Sequence, residues 1–541
     1  LFSITYIMPL RKRWDSSDLP YILIIFLVIF AYWPSLSGGF IFDDLSLIKN
    51  NSYIQNLHSL PSYLAQEDGI TAKEENPNLH TGYYRPLLNF TYFLDFKLWG
   101  MNAHGFRLTN VLLHLICSLL IFQMLIYLRI GSLPSLLGSL FFALHPTATE
   151  TVSMIVCRNN LLATIFCITS FMFYRSALLN RKWLLLPSAL FFGLGLLSKE
   201  ISVMLLPILF LYNRFFVGEK EEWKREIVFY LPFLALLTGY FFLRAQVIGT
   251  LVSPIAAQNF ETRFLFAPYI IVYNIFLILF PWGLHSFYIQ YPSSFFQSAV
   301  IGSYLLIILL VIMFWKLRLE KFILFPVFAF LVALFPVLNI VPVASHSLVT
   351  MRWLYFPLAF LIIALAYSIQ LLLSLKKVRF VALSGLAALL VYFAGYSFVL
   401  NNTLWKDQRS FLQIEVLSFN NIMFADALAE TLQSEGKYGE AEVLYRTSLK
   451  AFPHKAEIYI NYASLLIDTG RATEAIKYLE NSKSLIMTSA RRCQWFNNMG
   501  VACDRVNDKF CALKHLTQAI QLCPDDANYR KNLEIIKEKS P

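Results

Sequence analysis

Charge is the scarcest property of this chain. Asp, Glu, Lys and Arg make up 15% of its residues, where a soluble globular protein carries about 25%. With 57% hydrophobic residues, 49 of them Phe, the composition excludes an ordinary soluble protein and points to lipid as the main solvent. Also missing are a Gly-rich nucleotide loop, a Walker motif, G-x-S-x-G and H-E-x-x-H, so chemistry on soluble nucleotides and the common hydrolase mechanisms have no support. No close cysteine pair stands at zinc-binding spacing, and no metal site or cofactor is expected. The apolar segments show no internal repeat of the kind that marks many transporters. The formal net charge of +11 is unevenly distributed. Before residue 404 there are 27 Lys and Arg against 17 Asp and Glu, and after it 18 against 17. The excess sits among apolar segments, where cationic loops fix orientation, so no nucleic-acid partner is implied.

A membrane-spanning helix needs about 20 apolar residues. The stretches that approach this are 20–37, 106–128, 133–145, 159–179, 183–198, 200–217, 227–244, 264–281, 298–315, 322–342, 353–375 and 379–400. Arg11, Lys12 and Arg13 precede the first, which orients it with its N-terminal end in the cytoplasm. No small-residue cleavage site follows, so it reads as a retained anchor rather than a signal peptide. The loop 38–105 then faces outward. Basic clusters at Arg129, Arg175/Arg181/Lys182, Arg214/Lys220/Lys224/Arg225, Lys316/Arg318/Lys321 and Lys376/Lys377/Arg379 fall on the cytoplasmic side. Alternation fails between 226 and 316 unless one of the three segments there does not cross. The expected exception is 264–281, which Pro268 interrupts and Pro281 ends, as a re-entrant segment buried in protein allows. About eleven crossings then place the C-terminal part on the outer side.

Beyond Trp405 the composition becomes mixed-charge and helix-forming, with a 34-residue period. Gly436-Lys437-Tyr438 recurs as Gly470-Arg471; Ala441 recurs as Ala475 and, after a three-residue insertion, as Ala512. Pro453 and Pro524 close repeats. The pattern resembles tetratricopeptide repeats, three of them with a short capping helix. The fold expected is all-α: a polytopic membrane helix bundle over 1–403, followed by an α-solenoid over 404–541. Of seven cysteines, Cys117, Cys157 and Cys167 lie in or near membrane helices. Cys493, Cys503, Cys511 and Cys523 all fall in the last repeat. A helical hairpin turning near Asn507 opposes Cys493 to Cys523 and Cys503 to Cys511. Two disulfides in an oxidising compartment, or four buried thiols, both fit.

Several polar residues gather at one end of the bundle. Asp43 and Asp44 open the outer loop directly after the first apolar segment. Ionisable groups at a lipid boundary are costly unless solvated or used. They suit a general base near a lipid-borne substrate, or simply a hydrated loop start. By alternation His145, Glu150, Arg158, Lys199, Glu200 and Arg352 reach the same outer face, where a cation such as Arg352 suits a phosphate. Asn50, Asn89 and Asn401 stand in N-x-Ser/Thr triplets, which matter only in a cell that glycosylates them.

These segments resemble the integral-membrane glycosyltransferases of the GT-C type. More narrowly, the chain is similar to the transmembrane and tetratricopeptide repeat-containing O-mannosyltransferases and their bacterial relatives. The resemblance rests on Phe40-Ile41-Phe42-Asp43-Asp44; Tyr84-Arg85-Pro86-Leu87; Gly105-Phe106-Arg107 through His114; His145-Pro146 through Glu150 and Val152; Arg158; Leu197-Ser198-Lys199-Glu200; and Arg352 through Pro357. The resemblance implies a catalytic first outer loop and a polyprenyl-phosphate-linked sugar donor, such as dolichyl phosphate mannose. It implies transfer with inversion to an acceptor hydroxyl, with protein Ser/Thr as the expected acceptor. Asp43 or Asp44 would be the base and Arg352 the group that steadies the departing phosphate. Arg85, His145, Glu150, Arg158, Lys199 and Glu200 would line the donor or acceptor cleft, and the repeats would hold an acceptor protein or partner. A same-fold transferase acting on a lipid or cell-surface glycan, and a non-catalytic scaffold, are the alternatives. The chain departs from the family pattern in three places. Cys157-Arg158-Asn159-Asn160 replaces Gly-Arg-x-Asp, Met351 stands for the Glu before the last arginine, and Arg107 for the histidine after Gly-Phe.

Overall fold

The computed structural model describes residues 18–538 apart from 56–59, 66–82, 180, 218–222, 250–259, 289–291, 293, 318, 341–346, 486–488 and 525. Arg11, Lys12, Arg13, Lys220, Arg318 and part of the outer loop lie outside the described residues. Every regular element among the described residues is helical; an isolated bridge joins Tyr288 to Val349.

The N-terminal unit is a bundle of apolar helices. In chain order they are α1 (Leu19–Tyr32), α2 (Pro86–Trp99), α3 (Ala103–Tyr127), α4 (Ser132–Leu144), α5 (Ala148–Ser153), α6 (Arg158–Leu178), α7 (Leu185–Leu196), α8 (Leu205–Phe216), α9 (Trp223–Ile248), α10 (Phe260–Leu279), α11 (Ser298–Leu317), α12 (Lys321–Leu334), α13 (Tyr355–Ser374) and α14 (Arg379–Asn402). Local sequence sets several starts. Pro20 and Pro86 sit in the first turns of α1 and α2, where a missing N–H costs nothing. The Asn102 side chain accepts from the His104 N–H and caps α3. On α1, Ile24, Val28 and Ala31 are buried while Phe26, Ile29 and Phe30 are exposed. A helix apolar on both its packed and its open face has lipid as its solvent. The protein is an integral membrane protein.

Among the described residues, seven helices are long and apolar enough to cross a bilayer, Ile155–Leu178 and Phe260–Leu279 included. Four shorter apolar helices join them: Ser132–Leu144, Lys182–Leu196, Ser298–Phe314 and Lys321–Val337. Length and composition alone mark seven of these helices as full spans and do not confirm the eleven crossings expected. The reason is local. α4 has 13 residues, about 20 Å of helix against a hydrocarbon core of about 30 Å, because His145-Pro146 stops it. Likewise Ser198-Lys199-Glu200 separates α7 from α8. Polar breaks shorten the helices that frame the site. Pro268 does not interrupt its segment as the sequence suggested: α10 runs unbroken through it, as Pro does elsewhere in helices supported by neighbours. Pro281 lies just beyond its end.

After α14 the chain makes α15 (Gln408–Gln413) and two irregular helical turns at Ile414–Ser418 and Ile422–Phe424. Three helical hairpins follow: α16 (Ala425–Ser434) with α17 (Tyr438–Ala451), α18 (Ala456–Asp468) with α19 (Ala472–Ser482), and α20 (Ser489–Arg505) with α21 (Lys509–Leu522). α22 (Ala527–Glu538) lies against the last. Gly436 and Gly470 both turn at φ +78°, and Asn507 takes the same left-handed place at φ +63° in the third hairpin. Ala441, Ala475 and Ala512 are fully buried where paired helices touch. Arg471 joins neighbouring repeats by reaching Glu442 at 2.9 Å. Disulfides join Cys493 to Cys523 and Cys503 to Cys511; Cys117, Cys157 and Cys167 are buried free thiols.

Candidate functional site

The loop that follows α1 is held from three sides. Arg107 of α3 is fully buried, and its guanidinium donates to the carbonyls of Ser35 (3.2 Å), Gly39 (2.6 Å) and Trp405 (2.8 Å). Gly38 has to be glycine here: a Cβ would stand 2.4 Å from the Arg107 guanidinium. The next turn passes through Phe42 at φ +48°, unusual for a non-glycine residue. Its N–H donates to Gln408 Oε1 at 2.7 Å, and its ring packs against Phe287, Phe411 and Phe424.

This turn gives the two adjacent aspartates different surroundings. Asp44 is fully buried. Its Oδ1 accepts from the Val156 N–H at 2.9 Å, and its Oδ2 from the N–H groups of Ile155 (3.3 Å) and Ile41 (3.2 Å). Burial pushes its carboxyl up to about 6, against the pull of those N–H groups and of Arg107. Asp43 keeps 37% of its side chain exposed, with Oδ2 3.9 Å from Arg352 Nη1. Asp44 ties the loop to the Ile155–Val156 backbone; Asp43 faces the cleft.

Arg352 opens the approach to α13. Its backbone N–H donates to Glu150 Oε2 at 2.8 Å, while its Nε stays 3.7 Å from Glu150 Oε1. Two further neighbours of its guanidinium are soft: Met154 Sδ at 3.6 Å and Cys157 Sγ at 3.8 Å. Long ion-pair distances and sulfur acceptors leave this cation much to gain from an oxyanion. Glu150, on the short helix α5, is fully buried; it also accepts from Ser286 Oγ at 2.9 Å. Burial pushes its carboxyl above the usual range, and Arg352 opposes the shift.

The break between α7 and α8 supplies the other wall. Arg85 donates to Glu200 Oε2 at 2.9 Å and stacks on Tyr83, 4.1 Å from the ring centre. Lys199 donates to Asn160 Oδ1. Lys199 thus has a neutral partner there. Burial pushes the Lys199 ammonium down to about 7; Arg85 and Arg352 add to this, while Cys157 and Glu200 oppose it. Tyr83 feels Arg85, Glu200, Arg352 and Arg244 together, so these groups form one electrostatic neighbourhood. Leu206, Pro207 and Phe210 of α8 and Ile227, Tyr230 and Leu234 of α9 line an open apolar groove of about 340 Å³.

Two expected cleft residues lie elsewhere. Arg158 is fully buried, pairs with Asp95, and donates to Asn110 Oδ1 (2.7 Å), to Thr91 and to the Phe106 carbonyl (3.0 Å). Every arm of its guanidinium is used inside the protein. His145 is also fully buried. Its Nε2 meets the Ile278 carbonyl at 3.0 Å and its Nδ1 meets Thr147 Oγ1 at 2.7 Å. Both residues hold helices together because apolar surroundings left them no other outlet for their polar atoms. Sequence reading missed Asp95, Ser286, Gln408 and Glu415, which carry no motif. Arg107 was visible only as a departure from the family pattern.

Comparison with known proteins identifies two regions of the chain. Residues 84–244 match the family model described as Dolichyl-phosphate-mannose-protein mannosyltransferase, and residues 432–482 match a Tetratricopeptide repeat model. The chain is similar to the protein O-mannosyl-transferases. One from Caenorhabditis elegans is 24% identical over 86% of this chain and 62% of its own length. Protein O-mannosyl-transferase TMTC4 of Mus musculus is 25% identical over 84% and 64%. TMTC3 of Homo sapiens is 33% identical over 36% of this chain and 21% of its own. The chain thus spans less than two thirds of these relatives. The mannosyltransferase match takes in Arg85, Glu150, Arg158, Lys199, Glu200 and Arg244, and stops short of Asp43 and Arg352 on either side.

Proposed function

We propose that this protein is a membrane glycosyltransferase. It moves a mannosyl or similar group from a polyprenyl-phosphate donor to the hydroxyl of a protein Ser or Thr, on the non-cytoplasmic face. One observation carries the reading: a solvent-reachable carboxylate, Asp43, and an under-satisfied arginine, Arg352, stand 3.9 Å apart. Asp43 takes the proton of the acceptor hydroxyl. The acceptor oxygen bonds to the anomeric carbon as the bond from that carbon to the phosphate oxygen breaks. The electron pair leaves with the lipid phosphate, which Arg352 stabilises and Lys199 supports. Attack opposite the leaving group inverts the anomeric centre. Asp44 is not the base in this scheme, since three backbone N–H groups already occupy its oxygens. An apolar groove between α8 and α9 suits the polyprenyl chain, and the repeats suit an extended acceptor protein. No metal is required, because arginine neutralises the leaving group.

The test is transfer in membranes supplied with polyprenyl-phosphate mannose. Asp43→Asn is expected to lower it by about 10²–10⁴-fold at unchanged melting temperature. Full transfer by this variant overturns Asp43 as the base, and absence of transfer by the wild type favours a scaffold. Sidedness has its own test. Asn50 is exposed, whereas Asn89 and Asn401 are buried. Expressed in a cell that attaches N-linked glycans, the protein is expected to show a glycosidase-sensitive shift that Asn50→Gln removes. A cysteine introduced near Asn50 that labels only from the cytoplasm contradicts the orientation.

A further inference from the structure

The entry segment of the tetratricopeptide unit reaches into the site. Glu415, in the turn Ile414–Ser418, is fully buried although it lies beyond the last apolar helix. Its Oε1 accepts from the Ser286 N–H at 2.6 Å, and its Oε2 accepts from Asn421 Nδ2 at 3.0 Å and lies 3.4 Å from His285 Nδ1. The same Ser286 turns its hydroxyl to Glu150 Oε1 at 2.9 Å. Glu150 in turn takes the Arg352 N–H at 2.8 Å. One serine therefore bridges two buried carboxylates that are far apart in sequence, and the second of them seats the arginine of the cleft. Gln408, seven residues before Glu415, independently holds the Phe42 N–H next to Asp43.

A burial this complete needs a reason. Two desolvated carboxylates sharing one serine cost stability, and an apolar pair of the same volume would pack at least as well. What the polar relay supplies, and an apolar pair would not, is a fixed position for Glu150 and hence for Arg352. We propose that Glu415 and Ser286 are positioning residues. Through Glu150 they hold Arg352 where the departing phosphate develops charge, so the tetratricopeptide unit is a structural part of the active site. The proposal rests on the function read above for Arg352.

The experiment uses the full chain in lipid nanodiscs, with Ser286→Ala and Glu415→Leu made singly and together. Steady-state transfer from polyprenyl-phosphate mannose is measured alongside melting temperature. A group that orients a transition-state contact is expected to lower kcat by about tenfold or more, with donor KM changed about twofold or less. The double variant is expected to be no worse than the poorer single one, since both cut one relay. Unchanged kcat in both singles overturns the proposal. So does a loss that is additive and tracks a fallen melting temperature, which is the signature of a structural contact. A second arm does not depend on turnover: the thermal stabilisation given by polyprenyl phosphate alone should shrink in both variants. If Asp43→Asn transfers normally, the base assigned above fails, and this binding arm still decides whether the relay seats Arg352 on a phosphate. Undiminished stabilisation by polyprenyl phosphate in both variants then overturns it.

Discussion

Arg158 and Arg352 look alike in sequence, each a lone arginine at the end of an apolar segment, and they end in opposite situations. Arg158 is sealed among Asp95, Asn110, Thr91 and Phe106, with every arm of its guanidinium bonded. Arg352 keeps two carboxylates at 3.7 and 3.9 Å and two sulfur atoms as near neighbours. Saturation makes an arginine a bracket; incomplete satisfaction beside an exposed carboxylate makes it a binding group. Burial alone does not separate the two, since Arg352 has only 17% of its side chain exposed. The number and quality of the partners does.

The sharpest way to break this comparison is to truncate both arginines. Arg352→Ala is expected to abolish transfer, a loss of about 10³-fold for an electrostatic group at the leaving atom, with the fold intact. Arg158→Ala is expected to lose folded protein instead, because it leaves Asp95 buried and unpaired at a cost of about 3–5 kcal/mol. Thermal unfolding in detergent and transfer per folded molecule separate the two outcomes. Equal loss of transfer per folded molecule in both would erase the distinction.

The adjacent aspartates make the same contrast at closer range. Asp44→Ala strips the acceptors from three buried N–H groups and is expected to cost about 1–3 kcal/mol of stability, read as a lowered melting temperature. Asp43→Asn is expected to leave melting where it was. Because burial raises the Asp44 carboxyl to about 6, its ionised form is disfavoured in the folded state. Its ionisation therefore draws on stability as pH rises from the ordinary carboxylate range through 6.

The smallest effect sharpens the role of Lys199. Its folded ammonium titrates near 7, below the ordinary lysine range, so its charge is present below pH 7 and lost above it. Donor KM is expected to rise severalfold between about pH 6 and 8, and Lys199→Met is expected to flatten that dependence. A pH-independent KM in the wild type contradicts a part for Lys199 in holding the phosphate.

Much of this was readable in the chain. Apolar stretches marked the membrane helices, and Gly436, Gly470 and the buried alanines marked the repeats, because period and turn chemistry are local. The hairpin geometry paired Cys493 with Cys523 and Cys503 with Cys511, but whether those thiols are joined was left open. The site was only half legible. Asp43, Arg352 and Lys199 stood out as charges at lipid boundaries, and Arg85 only through the family resemblance. Yet the same signal selected His145 and Arg158, whose partners Ile278 and Asp95 come from other helices. Ser286, Gln408 and Glu415 gave no signal at all, since a serine, a glutamine or a glutamate in a mixed segment is ordinary until something distant meets it.

The sequence by itself determined the solvent of each half, the helical class, the repeat period and the short list of ionisable groups at one end of the bundle. Those properties follow from composition and from contacts within a few residues. Only the tertiary structure decided which charges are spent and which are available. It turned Asp44 inward and Asp43 outward, closed the shell around Arg158, and brought Glu415 onto the far side of Glu150 from Arg352. Such assignments depend on hydrogen bonds between residues hundreds of positions apart. A buried polar group must find its partner wherever the fold places one.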